Sequence, residues 1–404
     1  MVCGEPTGYQ DMPLKNINHK IVWLILAAAC GVLLVYGLPN VAERQMNLTA
    51  AHQPYQPSPA AIKLHNSLFV ADLHSDSLLW NRNLLRRASR GHVDIPRLQE
   101  GNVALQVFTA VTKSPRGQNN DRNSADSDNI TLLAIAQLWP PRTWFSLFER
   151  AAYQAEKLAA FSADSDGELR FVKTRTDLQE VIEARAHGEP IIAAIYGIEG
   201  AHPLEGDLAN LDRLFDMGLR QLGLTHFFDN ALGGSLHGES GAGLTDFGRQ
   251  VIARANELEM IVDVAHSAPQ VVRDVLAMSG RPVILSHGGI KSACPSPRNL
   301  DDELMKALAE HGGLLGVGFW DSAVCDFSPD GIAATMRRAV EIMGIDHVAM
   351  GSDYDGSVEV AMTSNELVAL TDALRRVDFS DEDIAQIMGG NTRDFFLHYL
   401  PVGK

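Results

Sequence analysis

The stretch "MIVDVAHSAPQVVRDVLAMSGRPVILSH", residues 260 to 287, decides the fold. Its two ends, "MIVDVAH" and "PVILSH", are short continuous apolar runs rich in β-branched residues. Between them "APQVVRDVLAMSG" carries its apolar residues at helical spacing. A strand that is apolar at nearly every position is buried on both faces, and a strand–helix–strand unit joins parallel neighbours. Both runs also end in a histidine, His266 and His287.

Outward from this unit the rhythm repeats. Toward the N-terminus lie "SLFVADLH", "VALQVFTAV", "PIIAAIYGIEG" and "LRQLGLTH"; toward the C-terminus lie "GLLGVGFW" and "HVAMGSDYDG". Helix-like segments such as "DFGRQVIARANELE", "DDELMKALAEHG" and "GIAATMRRAVEIMG" separate several of them. Eight such runs in the folded part fit an α/β fold, a (β/α)8 TIM-type barrel, better than an open doubly wound sheet. No G-x-G-x-x-G follows the first run, which weakens a dinucleotide-binding reading. One polar stretch breaks the rhythm: residues 113–142, containing "KSPRGQNNDRNSADSDN", read as a surface excursion or part of a lid whose charges face solvent.

The titratable residues fall where the strands end. His74 and Asp76 follow the first run, with Asp72 just before them; Glu199 ends the third, His226 the fourth, His266 the fifth, His287 the sixth, and Asp353 follows the eighth. A barrel gathers these ends at one mouth, where the active sites of this architecture sit. Imidazoles and carboxylates without a thiolate suit Zn²⁺, with Mn²⁺, Co²⁺ or Fe²⁺ as alternatives. There are too many donors for one tetrahedral ion. The expectation is therefore two ions about 3.5 Å apart sharing a carboxylate and a hydroxide, an arrangement that hydrolyses a polarised carbonyl or phosphoryl group. Asp72 reads either as support for such a site or as the cap of its own strand, and Asp355 as a loop-capping residue.

Composition narrows the partners. The chain has 404 residues, a formal net charge of −16 and 46% hydrophobic residues, so a sizeable core is expected and a nucleic-acid partner is not. Residues 21–38, "IVWLILAAACGVLLVYGL", form an uncharged run about long enough to span a bilayer. Lys15 and Lys20 before it and Glu43 and Arg44 after it favour a cytoplasmic N-terminus. The run reads as an uncleaved transmembrane signal-anchor in preference to a cleaved signal peptide. The expected organisation is a tail at 1–20, the anchor at 21–38, a linker at 39–60 and the catalytic barrel at 61–404. "QMNLTAAHQPYQPSPA", residues 45–60, reads as a tether. Cys294 and Cys325 are the cysteines of the folded part, with a disulfide and two free thiols both open.

"DLHSD", "GIEGAHPL", "LGLTH", "GLTDFGRQVIARANELEMIVDVAHSA", "PVILSHGGIKSACPSPRNL" and "HVAMGSDYDG", in this order across residues 67 to about 395, closely resemble the membrane dipeptidase (renal dipeptidase-like) family of the amidohydrolase superfamily. The resemblance implies a zinc-dependent dipeptidase with two ions per subunit. His74 and Asp76 resemble ligands of the first ion, Glu199 the bridging carboxylate, and His266 and His287 ligands of the second. The third run has no lysine, so a carbamylated-lysine bridge is excluded. His226 resembles the residue that contacts the scissile carbonyl oxygen. Asp353 resembles the proton shuttle between the bridging hydroxide and the leaving amine, and Arg298 the partner of the substrate's free C-terminal carboxylate.

The resemblance also implies dipeptide substrates, including those with a C-terminal D-residue, and a homodimer. With the anchor it gives a membrane-held enzyme whose catalytic domain lies outside the cytoplasm, on the periplasmic face of a bacterial inner membrane. A lactonase- or phosphotriesterase-like hydrolase on the same scaffold is the alternative. Arg298 argues against it, since neither substrate needs a carboxylate anchor. A non-catalytic tethered protein would have lost a ligand or the shuttle, and none is lost.

Overall fold

The computed structural model describes residues 37–403, together with Met1, Gly4, 21–24 and Gly31. Most of the expected anchor at 21–38 lies outside the described residues, and among those described no helix is long and apolar enough to cross a membrane.

Eight parallel strands close into a barrel: β1 (Val70–Asp72), β2 (Val103–Val111), β3 (Ile192–Glu199), β4 (Leu219–Gly223), β5 (Ile261–Asp263), β6 (Ile284–Gly288), β7 (Leu314–Val317) and β8 (Val348–Met350). Each pairs with its sequence neighbour, and β8 returns to β1 in the register Met350↔Asp72, where Leu73 N donates to Met350 O at 3.0 Å. All eight strands are buried along their whole length, as their apolar runs require. Their residues sort by alternation. Leu105, Val107, Ala193 and Ile195 pack with Phe395 and Phe396 of the last helix, Asn391–Tyr399. Phe108, Ala110, Ala194 and Tyr196 belong instead to the core shared with the surrounding helices.

The connecting helices begin where their caps dictate. Thr245 accepts from Gly248 N at the start of Asp246–Glu257, Asp301 from Leu304 N at the start of Asp302–Glu310, and Ser328 from Gly331 N ahead of Pro329–Met343. The long β2–β3 connection adds the helices Ile130–Ala136, Leu147–Ala163 and Arg175–Ala186, and a short strand, Leu169–Phe171, that pairs with the start of β3.

The segment expected as a tether is instead docked on the barrel. Residues Leu38–Met46 form a helix, Leu48–Thr49 pair in parallel with Glu359–Val360, and Pro59–His65 form a helix capped by Ser58. What holds the first helix is charge rather than apolar periodicity: Glu43 is buried between Arg82 and Arg90.

Candidate metal centre

All the residues singled out at strand ends meet at the C-terminal mouth of the barrel, and Glu199 stands at the centre of the group. Its Oε1 lies 2.9 Å from His266 Nε2, 3.2 Å from His287 Nε2 and 3.6 Å from His74 Nε2. Its Oε2 lies 3.2 Å from His226 Nε2. His74 Nε2 also faces Asp76 Oδ1 at 3.4 Å and Asp353 Oδ1 at 3.8 Å. The ligand-type atoms fall into three buried, overlapping groups: His74, Glu199 and His287; Glu199, His226 and His266; His74, Asp76 and Asp353.

Neighbouring side chains orient these donors. Thr109, within β2, donates to Asp76 Oδ1 at 2.6 Å, and Ser286 Oγ lies 2.9 Å from His287 Nδ1 and 3.3 Å from His74 Nδ1. Asp263 accepts from Ser286 N at 3.0 Å and from Gln221 Nε2 at 3.2 Å. Asp72 resolves its two readings in favour of support. It accepts from Ser352 N at 2.8 Å, Ser352 Oγ at 2.6 Å and Gln106 Nε2 at 2.9 Å, fixing the residue next to Asp353. His266 and Asp353 are both in the left-handed backbone region, at φ 60° and 61°. Such strain persists in a non-glycine residue where the surroundings over-determine it.

The electrostatics are lopsided. Burial, reinforced by the charge of Asp76, drives the Glu199 carboxyl well above its ordinary range. Burial likewise pushes Asp353 up to about 8, helped by Asp76 and Asp72 and opposed by His74 and Arg298. Burial works against a charged His74, yet Asp76, Glu199 and Asp353 together hold it up at about 10. His266 and His287 are driven far down, by burial first and then by Arg298 for the former and His74 for the latter. Two neutral imidazoles thus turn Nε2 atoms toward one another across 2.9 Å and toward the same carboxylate oxygen. Imidazole nitrogens and carboxylate oxygens converging on one buried point fit divalent cations held by nitrogen and oxygen.

Asp355 is a structural hub: it accepts from Ser77 Oγ, His92 N and Arg82. Arg298 is buried over the centre, its NH2 donating to His287 O at 2.9 Å and lying 3.5 Å from His266 Nε2. The loop bearing it is closed by a Cys294–Cys325 disulfide.

The excursion at 113–142, expected to be solvated, is only half so. Asp121 and Arg122 are exposed, but Asn120 O meets His237 Nδ1 at 2.8 Å, and Gln118 and Asn120 line the site. Thr109, Ser286 and Ser352 leave no trace in the sequence pattern, since a single hydroxyl inside an apolar run carries no spacing signal.

Two cavities open from the centre, and Glu199 and His226 line both. One, of about 240 Å³, contains Arg298, Asn120, Trp320 and Asp353. The other, of about 720 Å³, is mostly apolar and reaches Asp76 at its inner end.

A closed parallel barrel with buried imidazoles and carboxylates converging at its C-terminal mouth is the architecture of a metal-dependent hydrolase. The chain belongs to the membrane dipeptidase family (peptidase family M19), whose model matches residues 59–394. An uncharacterized dipeptidase of Schizosaccharomyces pombe is 27% identical over 352 residues, covering 84% of this chain and 78% of that protein. Among solved structures, the probable dipeptidase PvdM from Pseudomonas aeruginosa superposes with a TM-score of 0.70 at 18% identity, covering 84% of this chain and 97% of the other. A metallopeptidase from Rhodobacter sphaeroides, liganded with a phosphinate mimic of the dipeptide L-Ala-D-Ala, gives 0.64 at 23% identity, covering 82% and 99%. The chain is a hydrolase of the dipeptidase type.

Proposed function

We propose that this protein is a two-zinc dipeptidase that cleaves dipeptides with a free C-terminal carboxylate, including those ending in a D-residue. The observation that carries the reading is Arg298, a buried guanidinium in the smaller cavity beside Glu199, His226 and Asp353. A bidentate Arg–carboxylate pair fixes the substrate's C-terminal end and so measures its length. The L-Ala-D-Ala mimic in the Rhodobacter sphaeroides relative supports tolerance of a D-residue.

His74, Asp76, Glu199, His266 and His287 would hold the metal ions. When bound there, the ions supply Lewis-acid polarisation of the scissile carbonyl and lower the pKa of water. The chain's own residues do the rest. Arg298 binds and orients the carboxylate. His226, whose Nε2 lies 3.2 Å from Glu199 Oε2, contacts the carbonyl oxygen where negative charge develops. Asp353 takes a proton from the attacking water and passes it to the leaving amine. Thr109 and Ser286 hold the ligand rings and carboxylates in place.

The disulfide and the apolar run at 21–38 support a membrane-held enzyme working outside the reducing cytoplasm. The test uses the full chain in detergent, loaded with Zn²⁺, and compares free with C-terminally amidated L-Xaa–L-Xaa and L-Xaa–D-Ala. Cleavage of the free peptides alone is expected. Equal cleavage of both forms refutes carboxylate reading, and cleavage of neither by metal-loaded protein moves the chemistry to the lactonase- or phosphotriesterase-like alternative.

A further inference from the structure

The metal centre sits between two unlike cavities, and only the smaller one holds Arg298. With the substrate's carboxylate on Arg298, the scissile carbonyl lies at Glu199 and His226, and the residue on the far side of the bond is directed into the larger cavity. This step rests on the dipeptidase reading above. The larger cavity is walled by two elements: the helix Leu38–Met46 contributes Pro39, Ala42 and Met46, and the helix Ile130–Ala136 contributes Ile130, Leu133 and Ala136. Its floor is Leu79 and Trp80. A space of about 720 Å³ lined this way has room for the largest apolar side chains, whereas a small or charged side chain would leave apolar surface uncovered or lose its hydration there.

The first wall lies outside residues 59–394, the part matched by the family. It is nonetheless locked to the catalytic loop. Buried Glu43 pairs with Arg82, and Arg82 pairs with Asp355, two residues beyond Asp353. Asn47 Oδ1 accepts from Ser357 N at 2.9 Å, and Leu48 pairs with Glu359. The cavity ends inwardly at Asp76, Glu199 and His226, so whatever fills it is continuous with the group being cleaved.

We propose that the docked helix Leu38–Met46 and the helix Ile130–Ala136 form the pocket for the substrate's N-terminal side chain, making this a dipeptidase selective for a large apolar first residue. Full-length metal-loaded enzyme should then favour Phe-Ala and Leu-Ala over Gly-Ala and Asp-Ala in kcat/KM by roughly 10- to 100-fold, the range one well-buried apolar side chain supplies.

Ala42→Phe and Ala136→Phe, at two half-buried positions on the two neighbouring helices that line the cavity, fill the space from separate elements. Each should lower the Phe-Ala to Gly-Ala ratio at least about tenfold. Two variants on separate helices keep the test standing if one folds poorly, and a ratio within the same enzyme is independent of the folded fraction. Comparable cleavage of all four dipeptides, or an unchanged ratio in both variants, overturns the pocket assignment and leaves the dipeptidase reading intact. Failure to cleave any dipeptide overturns both together.

Discussion

Replacing Asp72 by asparagine tests whether the catalytic loop is held from beneath. Asp72 is 2% exposed and carries three donors: Ser352 N on Oδ1, and Ser352 Oγ and Gln106 Nε2 on Oδ2. An asparagine keeps one oxygen. Its least costly placement leaves that oxygen on Ser352 N, a backbone donor with no freedom to turn. The new NH2 then faces Ser352 Oγ, which can give its own proton to His74 O at 3.1 Å, and Gln106 Nε2, which keeps Val107 O at 3.1 Å but loses its acceptor. One bond to a carboxylate disappears and a second loses its charge assistance, a cost of about 2–4 kcal/mol at roughly 1.5–3 kcal/mol per such bond. Asp72→Ala removes all three bonds, strands Ser352 N and should cost about 3–6 kcal/mol.

Because Ser352 precedes Asp353, the proposed shuttle, the asparagine variant should also lose turnover, by a factor set by how far Asp353 is displaced. Urea denaturation of the metal-loaded protein reads the first effect, and kcat with metal stoichiometry reads the second. Two bound ions, lowered stability and lowered kcat are the expected set. An asparagine variant within about 0.5 kcal/mol of the parent with unchanged kcat would show that Asp72 merely ends its strand.

Asp353→Asn should retain both ions while kcat falls by about 10²–10⁴, the usual worth of positioned proton transfer; lost metal, measured by atomic emission, would make Asp353 a ligand instead. Removing the disulfide by Cys294→Ser with Cys325→Ser should cost about 3–4 kcal/mol by chain-entropy reckoning for a separation of 31 residues, read from denaturation midpoints; no loss would mean that β6 and β7 already close that loop. Burial holds the Lys157 amine down at about 7, and its Nζ donates to Leu78 O and Trp80 O, beneath the larger cavity. Between pH 7 and the ordinary lysine value the unfolded chain binds a proton that the folded chain does not, so stability rises with pH across that window, and below it the full cost is present. Lys157→Met should therefore show a smaller gain in Tm from pH 7 to 9 than the parent, and equal gains would refute a neutral buried amine.

The barrel was readable because its strands are predominantly apolar runs, and because His74, Glu199, His266 and His287 interrupt that pattern at corresponding ends. A charged or titratable residue at the edge of an apolar run is conspicuous; what supports it is not. Gln106, Thr109, Gln221 and Asp263 lie within strands as isolated polar residues, and only closure of the barrel gives them partners. The docked helix Leu38–Met46 was illegible for another reason. Its decisive residue, Glu43, finds Arg82 and Arg90 through packing that no local spacing encodes, and as sequence it reads as a charge flanking an apolar span. The charges of the excursion at 113–142 mostly face solvent, with Asp128 turned onto the buried Arg150, while backbone carbonyls and amides of the same loop touch the site.

The closure between β8 and β1 has a consequence for how the enzyme comes into being. His74 and Asp76 leave the first strand and Asp353 the last, and Asp72 meets Ser352 across 280 residues of chain. Such a pairing forms late, since its loop-closure entropy must be met before the contact returns anything. Until the last strand has been synthesised and threaded into place, a chain emerging N-terminus first carries all five candidate ligands but lacks Asp353 and the closed barrel that brings those ligands together. Hydrolytic activity thus arises only with the finished barrel, and incomplete chains are silent rather than partly active.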